Sequence, residues 1–197
     1  MMRLKATLRL MFYAALAAGA LFALVVEAEA APAVEGAAVT TPGPFELTKV
    51  DGATLDSIEL DGAPYALMFG FTHCPDVCPT ALAEVTAALE TAPGVGRDYR
   101  VYFVAVDEAR DTPEAVKAYL SSFDTRIVGL TGDRARIAEA AQAFGATARR
   151  KTFPDGGYAM EHTAALFLVD SNGLIADRVA FSETAEAMGK RIAAAAH

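Results

Sequence analysis

The chain has 197 residues, 53% of them hydrophobic and 21% charged, with fifteen glycines and nine prolines. That composition excludes collagen-like and disordered chains and leaves one domain with extra segments. Two cysteines cannot staple a disulfide mini-protein, so their role is local, and a formal charge of −8 argues against a nucleic-acid partner, whose binders carry a basic excess.

The first thirty residues differ in kind from the rest. Arg3, Lys5 and Arg9 precede an uncharged stretch from Leu10 to Val26 that ends at Glu27. As a helix this stretch would span roughly 26 Å, close to the hydrocarbon thickness of a bilayer. Ala28-Glu29-Ala30 before Ala31-Pro32 offers the small-x-small pattern that a signal peptidase cuts. Residues 1–30 therefore read as a transmembrane anchor or a cleaved signal peptide, with no cysteine nearby for lipid attachment. In either case the positive end stays cytoplasmic and the chain after about Glu27 is exported. The expected location is a bacterial-type inner membrane with the domain facing the periplasm, or the free periplasm after cleavage. Loss of residues 1–30 takes away three positive and two negative charges and turns −8 into −9. In an oxidising compartment a close cysteine pair can cycle between dithiol and disulfide, and it needs a reductant to present thiolates.

Residues 31–44 are rich in Ala, Pro, Val and Gly without periodicity and read as a linker, and 45–197 as the folded domain. Phe45–Thr48 and Thr54-Leu55, separated by Asp51-Gly52, suggest a small hairpin. Tyr65–Phe71 is a continuous apolar run of buried-strand length. Next come a helix over Pro79–Thr91, a strand at Tyr99–Val106, and helices over Pro113–Phe123 and Arg134–Phe144. Ala164–Asp170 reads as a buried strand, paired with Leu174–Ala180 across Ser171-Asn172-Gly173, and Thr184–Ala196 as an alanine-rich helix. The pattern predicts an α/β domain with helices covering a mixed central sheet.

Phe71-Thr72-His73-Cys74-Pro75-Asp76-Val77-Cys78-Pro79 links the apolar strand to the first helix, a junction suited to site chemistry. A residue before proline is pushed away from α geometry, which predicts a helix starting at Pro79 with Cys78 as its N-cap. Unpaired N–H groups and the positive end of the helix dipole would then lower the pKa of both thiols. Such thiolates suit a nucleophile or a metal ligand. Three intervening residues, against two in the usual redox pair, leave both a disulfide and a shared metal feasible.

The run Phe69–Pro79 resembles the signature of the Sco/SenC family. Asp107–Glu114, Val128–Gly132 and Glu161–Ala164 resemble later blocks of that family in the same order, so the likeness extends from about Phe45 to Ala180. The resemblance implies a thioredoxin-like three-layer α/β/α domain, tethered on the exported side, that binds copper as Cu(I), Cu(II) or both. It implies a role in assembling the copper centre of a cytochrome oxidase. Carried over by position, the ligands would be Cys74, Cys78 and His162, the last in a loop entering the Ala164 strand. Implied partners are the copper-site subunit of a cytochrome c oxidase, another copper chaperone or a thiol reductant, and the membrane. Two thiolates and an imidazole are compatible with copper, and open coordination permits release. Glu108 stands where the family often has proline, and Ala63 where it often has lysine.

Two functions compete. A metallochaperone would hold one copper through the three ligands and pass it on by ligand exchange. A thiol–disulfide oxidoreductase would use Cys74 and Cys78 to reduce the cysteines of the oxidase copper site. Structural zinc is disfavoured by the lack of a fourth ligand, and peroxidase chemistry has no residue support. His73 reads as a structural neighbour of the site and His197 as a frayed end. Asp111–Glu114 reads as a helix start, with Asp107 or Asp111 near the metal loop as the functional alternative. Arg149-Arg150-Lys151 reads as a solvated basic run, with docking of an acidic partner as the alternative.

Overall fold

A computed structural model describes residues 40–196. The anchor or signal segment, most of the linker and His197 lie outside the described residues, among which no helix is long and apolar enough to cross a membrane. The strands are β1 (Glu46–Lys49), β2 (Thr54–Asp56), β3 (Tyr65–Gly70), β4 (Arg100–Ala105), β5 (Ile127–Thr131), β6 (Ala148–Thr152), β7 (Tyr158–His162), β8 (Ala165–Val169) and β9 (Ile175–Ala180). The helices are α1 (Val77–Thr91), α2 (Pro113–Leu120), α3 (Arg134–Ala143) and α4 (Ala185–Ala195), with a short 3-10 turn at Ser57–Leu60.

Seven strands form one mixed sheet in the order β2-β1-β5-β4-β3-β8-β9. β3, β4 and β5 run parallel at its centre, flanked by antiparallel pairs on both sides. Alternation along the strands gives the sheet two apolar faces. Tyr65, Leu67 and Phe69 of β3 join Tyr102 and Val104 of β4 on the face covered by Ile137 and Ala140 of α3. Ala66 and Met68, with Val101 and Phe103, meet Leu82, Val85 and Leu89 of α1, Val116 of α2, and Met188 and Ile192 of α4. These layers are the α/β/α sandwich expected from the resemblance. The N-terminal hairpin, the β8–β9 hairpin and the tail helix also lie where the sequence predicts them.

Three strands, β5, β6 and β7, differ from the sequence reading. β5 was not expected, since it is only five residues long and interrupted by Gly129. A Cβ there would sit 2.7 Å from both Val116 Cγ1 and Val50 Cγ1, so close packing of helix and loop on the strand demands glycine. The β6–β7 hairpin carries too little apolar alternation to announce itself: four of the five β6 residues are exposed, and only Met160 of β7 is buried. These two strands form a separate two-stranded sheet with no ladder to the main one.

The parallel strands β3 and β4 end side by side, with Val106 N–H donating to Gly70 C=O at 2.8 Å. Their carboxyl ends deliver the cysteine loop and the Asp107–Asp111 turn to one edge, the usual place for sites in parallel sheets.

Candidate metal centre

The cysteine loop leaves β3 through a turn in which Cys74 N–H donates to Phe71 C=O at 3.2 Å. Helix α1 starts at Val77, two residues earlier than predicted, with Asp76 rather than Cys78 at its N-cap. Pro79 is tolerated in this first turn because the N–H it lacks would have no helical partner there. Cys78 thus lies inside the first turn and is fully buried, whereas Cys74 is partly exposed; both are free thiols.

The backbone N–H of Cys78 donates to Cys74 Sγ at 3.4 Å. Burial pushes the Cys74 thiol up, but the N–H groups of Cys78, Asp76 and Val77 outweigh it and hold the thiol below its ordinary value. Cys78 departs from the expectation of two activated thiols. Burial pushes it up to about 12, against a lowering hydrogen bond from the Phe71 backbone, and neighbouring Cys74 adds to the rise.

His162 is the last residue of β7, not a loop residue. Its Nε2 lies 3.8 Å from Cys78 Sγ. Its Nδ1 faces the Thr163 carbonyl oxygen at 3.2 Å. A carbonyl only accepts, so Nδ1 carries the proton and the Nε2 lone pair faces the sulfur. Burial pushes the imidazole below its ordinary pKa, partly offset by the Thr163 carbonyl, which favours the neutral form that metal binding requires. Phe71 packs edge-on against it, with ring centroids 5.9 Å apart. Among the described residues, no three Cys, His, Asp or Glu side chains are already gathered as around an ion. Cys78 and His162 are in contact, and Cys74 stands at the open rim.

Asp111 is buried, and its Oδ1 accepts from Thr72 N–H at 3.1 Å and from Thr72 Oγ1–H at 2.6 Å. Burial pushes its carboxyl up, while these Thr72 bonds pull the other way. The cap of α2 is Thr112, which accepts from Ala115 N–H, so Asp111 is free to hold the cysteine loop. His73 Nδ1 lies 3.0 Å from Thr72 Oγ1 and 3.8 Å from Asp111 Oδ1, which places it in the support of the loop. Arg149 and Lys151 pair with Glu161 on the exposed hairpin, as a solvated run would. Arg150 instead lies over the Tyr158 ring at 4.1 Å, near Glu108. Sequence reasoning missed Tyr158, whose hydroxyl donates to the buried Asp107 at 2.9 Å. A lone tyrosine in a polar stretch gives no signal of such a contact.

Comparison with known proteins places the sequence and the fold in one family. The SCO1/SenC family model matches residues 34–197. A SCO2-like protein of Rickettsia prowazekii is 35% identical over 133 residues, covering 66% of this chain and 65% of that protein, so the match spans just under two thirds of its relative's length. The copper-bound structure of ScoI from Bradyrhizobium japonicum is 36% identical, with a TM-score of 0.70 over 79% of this chain and 99% of that one. BsSco, described as a member of the Sco family of cytochrome c oxidase assembly proteins, shares the fold alone: 21% identity and a TM-score of 0.65, over 83% of this chain and 97% of that one. Because the family model spans residues 34–197, well over half of the sequence and the whole of the described domain, this chain belongs to the SCO1/SenC family.

Proposed function

We propose that this chain is a copper metallochaperone that binds one copper ion through Cys74, Cys78 and His162 and passes it to the copper-site subunit of a cytochrome c oxidase on the exported side of the membrane. The observation that carries the reading is the 3.8 Å approach of His162 Nε2 to Cys78 Sγ, with Cys74 Sγ on the preceding loop accepting from Cys78 N–H at 3.4 Å. Burial disfavours the charged form of the imidazole, which keeps the Nε2 lone pair available beside the sulfur. Two sulfurs and one nitrogen favour Cu(I), and the imidazole also tolerates Cu(II). The exposure of Cys74 leaves one side open, so incoming ligands can replace the protein's own one at a time. The copper-bound relative supports the choice of cargo.

The test is an anaerobic Cu(I) titration of the reduced protein and of Cys74→Ser, Cys78→Ser and His162→Ala. One ion bound by the native chain and strongly weakened in all three variants is the expected result. Unchanged affinity in His162→Ala sinks the three-ligand reading.

The asymmetry of the thiols favours a second reading, reduction of the oxidase copper-site cysteines. Cys74 thiolate would attack the target disulfide, forming a mixed disulfide and releasing one target thiolate. Cys78, once deprotonated, would then attack Cys74 Sγ, releasing the second target thiolate and closing the Cys74–Cys78 disulfide. Two electrons pass to the target, and a separate thiol reductant must restore the pair. The two activities are compatible as successive phases of one assembly step.

A further inference from the structure

We propose that the single turn Asp107–Asp111 positions the two halves of the site against each other, and that it holds His162 through Tyr158. The inference deepens the copper reading and rests on it.

His162 stands on a hairpin that shares no backbone ladder with the main sheet. Its distance from Cys78 is therefore set by side-chain contacts and by the chain running on into β8. Met160 anchors the hairpin in the core, but apolar contact is non-directional. Directional ties to the turn come from Arg150 on β6, which donates to Glu108 Oε1 at 3.4 Å and lies 3.9 Å from Asp107 Oδ1, and, on the strand that carries His162, from Tyr158 Oη–H, which donates to Asp107 Oδ1 51 residues away in sequence. Tyr158 opens β7 and His162 closes it, so fixing one end of this short strand aims the other. Arg110 donates to the second oxygen of Asp107 and lies 4.2 Å over the Tyr158 ring, while Arg150 lies 4.1 Å over the same ring. The aromatic body is gripped along with its hydroxyl.

The other end of the turn holds the cysteines. Asp111 accepts both bonds from Thr72, two residues before Cys74. Within the turn, Arg110 N–H and Asp111 N–H both donate to Asp107 C=O, at 3.0 and 2.8 Å, so the two carboxylates move as one piece. Both are buried, at 0% and 3% exposure, where such bonds are costly to break. A displacement of either segment must break a buried charge-assisted bond. Tyr158 is thus a positioning residue acting through His162, and Thr72 is its counterpart acting through Cys74.

The test is a double-mutant cycle on the full reduced chain, titrated anaerobically with Cu(I) against a chromophoric chelator. Tyr158→Phe, which keeps the ring, is expected to weaken binding about five- to tenfold, the scale of one lost hydrogen bond. In the His162→Ala background the same change should have an effect of less than about twofold. Equal losses in both backgrounds, or no loss in the first, overturn the proposal. In the metal-free protein, Tyr158→Phe should shift the His162 ring-nitrogen resonances and leave the Cys74 alkylation rate within about twofold. Thr72→Val should do the reverse. Unmoved His162 resonances in Tyr158→Phe overturn the positioning role whatever copper does. A native affinity in His162→Ala together with shifted resonances in Tyr158→Phe would remove the copper assignment and keep the positioning.

Discussion

Cys78 Sγ and His162 Nε2 lie 3.8 Å apart across 84 residues of sequence, and they meet because two different parts of the fold end at one edge of the sheet. The sulfur arrives on the first turn of α1 after the parallel strand β3, and the imidazole at the end of a hairpin outside the main sheet. Each thiol takes its character from which side of that edge it faces.

The first consequence is unequal reactivity in the reduced, metal-free protein. Cys74 is partly exposed and held below its ordinary value, whereas burial pushes Cys78 up to about 12. Thiolate is the species that alkylates, so iodoacetamide near neutral pH should label Cys74 and leave Cys78 untouched until the protein is denatured. Peptide mapping after a timed pulse reads this directly. Preferential labelling of Cys78 would contradict the burial order of the two sulfurs.

Gly70, the last residue of β3, makes a second prediction. A Cβ at this position would fall 2.5 Å from Phe103 Cε2 and 2.9 Å from its Cζ, and 3.4 Å from Cys78 Sγ. Phe103 is fully buried and cannot swing away. Gly70→Ala should therefore cost about 1–3 kcal/mol by overpacking, and should weaken copper binding as Cys78 is displaced. Urea denaturation together with Cu(I) titration checks both effects; native stability with native affinity would show that the ring yields freely.

Much of the scaffold was legible in the sequence, because buried strands and capped helices declare themselves locally. Tyr65–Gly70 is apolar at nearly every position and is one of the three parallel strands at the centre of the sheet. Asp111–Glu114 is legible as a helix start, and the structure places the cap at Thr112 with Pro113 following it. The cysteine loop was legible as a junction, but the state of its thiols was not, since burial of Cys78 comes from the layers packed around it. His162 could be named only through family blocks. The strand that carries it has one buried residue and no distinctive pattern. Tyr158 was invisible because a hydrogen bond spanning 51 residues leaves no periodicity.

A third prediction concerns the C-terminal helix. Arg191 on α4 donates to both oxygens of Asp177 on β9, to Glu183 and to the Arg178 carbonyl. Its guanidinium holds the Asp177 carboxyl below the usual carboxylate range. Both side chains are about one-third exposed, so solvent screening limits the gain, and Arg191→Leu should cost only about 1 kcal/mol at pH 7. A folded-state pKa below the unfolded value of about 3.9 gives stability that is present above that pH and lost as pH falls through the folded value. The gap between native and Arg191→Leu denaturation midpoints should therefore narrow below about pH 4. A gap that stays constant into that range would mean that packing of the arginine stem, not the ion pair, holds the helix.

The last prediction separates the roles of the two cysteines in exchange with a partner. A mixed disulfide forms at the more accessible and more ionised thiol, and it is resolved by the other one. The helix-start N–H groups ease deprotonation of Cys74, while Cys78 lies beneath it with its N–H directed at Cys74 Sγ. The attack must therefore begin at Cys74. When the reduced protein meets a short peptide carrying an internal disulfide, Cys78→Ser should accumulate the Cys74–peptide adduct, because a serine hydroxyl cannot resolve it. Cys74→Ser should form little adduct, since the remaining thiol is buried and pushed up to about 12. Mass spectrometry of acid-quenched mixtures reads both outcomes. Adduct trapped in Cys74→Ser but not in Cys78→Ser would reverse the assignment and require the loop to open far enough to bring the buried sulfur to the surface. Because opening would also pull Cys78 away from His162, adding Cu(I) beforehand should suppress adduct formation in that case as well as in the expected one. The trapping pattern of the metal-free variants therefore decides which sulfur leads.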